Sequence, residues 1–135
     1  MRTQWIYVLV AAVALSLSMS VSAGPSADSI YGAEMSPAKC LKIAEQAILS
    51  ILRDPDSAQF KRDGGPCRKG SAAVFKVGVY KEESGYKQFG KVNAKNSYGG
   101  YVGFKEYAVL IRNDVAIYAC IDNDDTSICR TMIWP

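Results

Sequence analysis

The chain contains no histidine. This removes imidazole general bases, the usual serine and cysteine triads and most catalytic zinc sites, which take a base or a ligand from that side chain. No cysteine precedes Cys40, which argues against a lipidated cysteine at the start of a processed chain. An excess of one charge is missing too. The 16 Lys and Arg stand against 13 Asp and Glu for a net +3, a balance that points to no class of partner. Past the N-terminus there is no repeat and no low-complexity tract.

The N-terminus carries Arg2, an apolar run over 5–19 and then Val21-Ser22-Ala23, the pattern of a signal peptide cleaved after Ala23. The run is short against the roughly 20 residues that span a bilayer, so no stable membrane span is expected after processing. The expected location is periplasmic or secreted. The processed chain has the size of one domain. Residues 24–35, rich in Gly, Ser and Ala, read as a flexible lead, and 36–135 as a single domain.

Cys40, Cys67, Cys120 and Cys129 are an even set in an oxidising compartment, which reads as two disulfides. Their gaps lack the close spacing of zinc knuckles, and neither metal nor cofactor is expected. Three pairings are open in principle. The turn residues Asp122-Asn123-Asp124-Asp125 lie between apolar stretches at 115–121 and 127–134. A hairpin centred between Asp124 and Asp125 sets Cys120 opposite Cys129 and leaves Cys40 for Cys67. These aspartates lack the glycine and distal glutamate of an EF-hand, so a hairpin tip is preferred to a calcium loop.

Ser36-Pro37 predicts a helix start, with Leu41, Ala44, Ile48, Ile51 and Leu52 at helical spacing and an end before Pro55. Asp54-Pro55-Asp56-Ser57 reads as a turn, 58–62 as a short strand and Asp63-Gly64-Gly65-Pro66 as a loop. Alternation predicts strands over 73–81 and 104–112, the second central. Asn113-Asp114 then makes a tight turn into 115–121. The predicted fold class is α+β: one N-terminal helix packed on an antiparallel sheet of about five strands.

The segment 91–107 is too glycine-rich for an ordinary strand and too aromatic for an ordinary linker. Gly99, Gly100 and Gly103 permit unusual backbone, while Tyr98, Tyr101, Phe104 and Tyr107 bring large surfaces. Tyr, Ser, Gly and Asn together are the residues of adaptable binding surfaces. The structural alternative is a loop folded back on the sheet, with Asn93 and Asn96 bonding backbone groups. Both readings hold if a packed loop presents its rim. The candidate binding residues are Asn93, Lys95, Asn96, Tyr98, Tyr101 and Phe104.

The blocks Leu52-Arg53-Asp54-Pro55-Asp56-Ser57-Ala58-Gln59-Phe60 and Gly90-Lys91-Val92-Asn93-Ala94-Lys95-Asn96-Ser97-Tyr98-Gly99-Gly100-Tyr101-Val102-Gly103-Phe104 carry a resemblance. In their order and wording the chain resembles a family of small, largely uncharacterised bacterial exported proteins. The resemblance implies a bacterial envelope protein and brings no catalytic residue with it. Members of that family often have cysteine where this chain has Phe89, so no disulfide pairing carries over.

Carboxylate pairs are the chemistry left. Asp54 with Asp56, or Glu83 with Glu106, would serve glycoside hydrolysis if a fold brought them together. Asp in a turn and Glu among lysines have plainer explanations. The cations Lys61, Arg62, Arg68 and Lys69, and the lysines recurring to Lys105, read as solvated faces, and export argues against a nucleic-acid partner. The expectation is a non-enzymatic exported binding protein of the bacterial periplasm or envelope, of inhibitor or immunity type, whose partner is another envelope or secreted protein. The alternatives are a structural accessory of an envelope or secretion assembly and a carboxylate-dependent envelope glycan hydrolase.

Overall fold

Ser36 and Pro37 open the helix as their chemistry predicts. In the computed structural model, which describes residues 30–76, 78–122 and 128–131, α1 runs Pro37–Ile51, and Ser36 Oγ accepts from the Lys39 amide at 3.3 Å. The proline sits where its missing N–H would have been an orphan. The helix buries Cys40, Ala44, Ala47, Ile48 and Ile51. This face is turned slightly from the expected stripe, with Leu41 and Leu52 half-buried at its margin. The expected signal peptide lies outside the described residues. The described end of the lead packs: Met35 is buried, Tyr31 lies against the same core, and the Ala33 amide donates to Asn113 Oδ1 at 3.0 Å.

One antiparallel sheet takes up the rest: β1 (Gln59–Lys61), β2 (Arg68–Lys76), β3 (Val79–Asn93), β4 (Lys105–Arg112), β5 (Val115–Ile121) and β6 (Ile128–Thr131). Its path is β1-β3-β4-β5-β6, with β2 paired to β3 alone, and α1 packs on β3, β4 and β5. The architecture is therefore α+β. The expected strand 73–81 is corrected: the chain reverses at Gly78, whose φ of +82° suits a residue without Cβ, and Lys76 pairs with Val79. The returning strand β3, which alternation did not predict, is the longest.

β3 organises the sheet. Lys87 faces Arg68 on one side and Leu110 on the other, so β2 and then β1 line one edge of β3 while β4 lines the other. Between β1 and β2 the chain crosses that edge at Gly64, which lies too close to the Phe89 carbonyl for any side chain. Buried Gln88 holds the crossing, its Nε2 donating to Gly65 O at 3.0 Å and Phe89 O at 2.8 Å. The Cys40–Cys67 disulfide, Cα atoms 6.3 Å apart, ties the end of this crossing to α1.

On β4 the expected alternation holds, with Tyr107, Val109 and Ile111 buried beneath the helix; Leu110 is buried on the opposite face. Asn113 and Asp114 turn with φ of +51° and +64°, the positive pair of a two-residue hairpin, as expected. Cys120 stands opposite Cys129 in the β5–β6 register, which centres the hairpin where the sequence predicts. Residues 123–127, with Asp124 and Asp125, lie outside the described residues, as does the Cys129 side chain. The disulfide defined among the described residues is thus Cys40–Cys67, where two were expected.

Tyr107 rests across Gly90, where a Cβ would fall 2.5 Å from its hydroxyl, and meets the Phe60 ring edge-on at 5.9 Å. Its hydroxyl is buried with no hydrogen-bond partner among the described residues, and burial, reinforced by Glu45, pushes its pKa from 10.0 up to about 12. The folded state disfavours tyrosinate. Stability is therefore whole below pH 10 and falls as pH rises towards about 12. Urea titrations of Tyr107→Phe should show stability at pH 7 equal to or above wild type and a smaller alkaline loss. A loss at pH 7 would mean that the hydroxyl is bonded. Replacing both Cys40 and Cys67 with Ala, across a separation of 27, should cost about 3.6 kcal/mol in the same assay.

Candidate functional site

The segment between β3 and β4 is a built hairpin. Lys95 and Tyr101 form an isolated bridge. Within it, the Asn96 amide donates to Gly100 O at 2.9 Å and the Gly99 amide to Asn96 O at 3.0 Å. Asn96 Oδ1 accepts from the Tyr98 and Gly100 amides at 3.0 and 3.2 Å, and Asn93 Oδ1 from the Gly103 amide at 3.0 Å. Gly99 and Gly103 have φ of +81° and +93°, conformations that strain any residue with a Cβ. Both asparagines thus do what the structural reading assigned them.

A second segment anchors this hairpin. Pro55–Ser57 forms a 3-10 turn in which Ser57 Oγ donates to Asp54 O at 2.9 Å. The same oxygen accepts from the Lys95 amide at 2.9 Å, and the Ser57 carbonyl accepts from the Tyr101 hydroxyl at 3.1 Å. Ser57 therefore joins the two sequence blocks 52–60 and 90–104. The loop beyond it projects its rings: Tyr98 is 95% exposed, and Tyr101, Val102 and Phe104 stand about half out. Lys61 Nζ lies 4.8 Å from the Phe104 ring centroid and Lys95 Nζ 5.7 Å from that of Tyr101.

All six expected binding residues, Asn93, Lys95, Asn96, Tyr98, Tyr101 and Phe104, fall on this one feature, but in two roles. Asn93 and Asn96 shape the backbone, while Lys95, Tyr98, Tyr101 and Phe104 form the outer surface. Sequence reasoning missed Ser57 and Lys61. The first was signalled by the pairing of the two blocks and the second by nothing local, because the sheet register brings it near Phe104.

The carboxylates are dispersed. Glu83 sits in an ion pair with Arg112 at 3.0 Å, on the ribbon of β2 and β3, whereas Glu106 pairs with Lys91 towards the other end of β3. Asp54 and Asp56 flank and occupy the 3-10 turn. A concavity of about 620 Å³ lies on the sheet face away from α1, lined by Asp63, Phe89, Lys91, Glu106, Cys120 and Asp122. Lys91 stands 3.5 Å from Asp63 and 3.9 Å from Glu106 there. Among the described residues no group of three or more Cys, Asp or Glu is placed to hold a metal, and no helix is long and apolar enough to cross a membrane.

Comparison with known proteins yields no match: no family model, no curated protein and no solved structure aligns with the chain.

Ser57→Ala removes both the acceptor of the Lys95 amide and the donor to Asp54. It should lower stability by about 1 kcal/mol and raise hydrogen exchange at the Lys95 amide, leaving the Val109 and Ile111 amides protected. Unchanged exchange at Lys95 would show that the loop holds itself.

Proposed function

We propose that the protein is a non-enzymatic binding module of the bacterial periplasm or envelope, of inhibitor or immunity type, that docks on another exported protein through its 93–104 loop. The observation that carries this reading is Tyr98. A ring left almost wholly in water at the apex of a loop whose backbone is extensively bonded is surface prepared before contact, which lowers the ordering cost of association. Tyr101, Val102 and Phe104 widen the apolar area around it.

Export rests on the leader at 1–23, on the Cys40–Cys67 bond and on the resemblance of the two blocks to exported proteins. The reading includes a second disulfide, Cys120–Cys129, supported by their facing positions in the register. A closed loop of this length would contribute about 2.7 kcal/mol. The non-enzymatic part rests on the missing histidine. The ion pair at Glu83 and its distance in the sheet from Glu106 count against a carboxylate hydrolase.

A second reading, a structural accessory that makes contact through the sheet rather than the loop, is favoured by Val79 and Tyr80, exposed on the outer end of the ribbon. One experiment separates the two. Quantitative recovery of partners from envelope extract, with wild type, Tyr98→Ala and Tyr80→Ala as baits, should fall about tenfold or more for Tyr98→Ala alone, with melting temperatures unchanged. Loss with Tyr80→Ala alone selects the ribbon, and equal recovery by all three baits rejects the loop.

A further inference from the structure

We propose that the partner surface recognised by the 93–104 loop is acidic, with the two cations Lys61 and Lys95, resting over Phe104 and Tyr101, receiving its carboxylates. The inference rests on the loop being the binding site and adds the chemistry of what it binds. Lys61 ends β1 and Lys95 lies in the loop after β3, yet both rest on its rings, one over Phe104 and the other over Tyr101. Neither has a carboxylate within ion-pair distance among the described residues. Lys39, Lys81 and Lys91 by contrast stand beside Asp114, Glu83 and Asp63. The stretch 91–105 contains three lysines and no acidic residue.

Resting over a ring holds each ammonium near the patch and limits the freedom it would lose on pairing. A carboxylate arriving there completes a charge pair beside apolar area, the arrangement that gives rapid association and partner choice. A polypeptide fits better than an acidic glycan. Reading sugar hydroxyls takes many free acceptors, and the carboxamide oxygens of Asn93 and Asn96 are already engaged by the loop's own amides. What the loop offers outward is ring surface and positive charge, on a projecting tip suited to enter an acidic groove.

The test pans a library of random 16-residue peptides on the disulfide-intact protein and, in parallel, on Tyr98→Ala. Enriched peptides are then synthesised and titrated. Peptides that depend on Tyr98 are expected to carry excess Asp and Glu beside aromatic or aliphatic residues. The double variant Lys61→Glu with Lys95→Glu should bind them at least tenfold more weakly, while Lys42→Glu on α1 changes binding less than twofold. Thermal melts verify that all variants are folded. Tyr98-dependent peptides without acidic excess, or indifferent to the charge reversal, overturn the acidic partner and leave the loop as a binding site. The absence of any Tyr98-dependent peptide overturns both. Oligogalacturonate that binds through the same two lysines at least as tightly as the peptides also overturns the proposal, in favour of a glycan.

Discussion

The hydrogen bonds at Ser57 are the constraint on which the form of the 93–104 loop, the proposed recognition surface, depends. One hydroxyl closes its own 3-10 turn through Asp54 and accepts the Lys95 amide, and the carbonyl of the same residue takes the Tyr101 hydroxyl. A loop with three glycines would otherwise have much conformational entropy to lose on meeting a partner. Fastened at its base by Ser57 and at its tip by Asn96, it has lost most of that freedom on folding, and the freedom is not lost again on binding.

The sheet makes this junction possible. β3 is long enough to pair with β2 at its start, β4 in its second half and β1 at its end, so β1 and the preceding 3-10 turn are delivered to the point where β3 enters the loop. The Cys40–Cys67 bond fixes the crossing between β1 and β2 to α1, and Gln88 fixes it to β3. Register alone then sets Lys61 beside Lys91 and within reach of Phe104. Strand pairing sets the positions of scaffold and loop, and the long-range bonds of Ser57, Tyr101 and Gln88 and the disulfide fasten them.

Legibility in the sequence followed the strength of local signals. Ser36-Pro37 and the apolar spacing after it marked α1 because capping and periodicity are both local, and Asn113-Asp114 marked its turn for the same reason. β3 was hidden. The residues it turns towards α1 include Tyr86, Gln88, Gly90 and Val92, and only Val92 is an aliphatic strand former, so alternation is weak. The strand is sustained by partners on both edges, information that no window of sequence holds. Val77 and Val79 meanwhile simulated a continuing strand across what is a turn at Gly78. At the site, residue types identified the loop, but not the division of labour within it. Asn93 and Asn96 stood as candidates for both contact and framework, and hydrogen bonding makes them framework; Ser57 looked like turn punctuation and is the anchor.

In this structure the 93–104 loop is already formed in the free protein. Backbone 15N relaxation of the free protein tests it most directly. Order parameters near 0.8 or above through 95–104, close to those of β4, are predicted, with the Tyr98 side chain alone mobile. Values below about 0.6 across the same residues would describe a loop that orders only on contact, and would contradict the account.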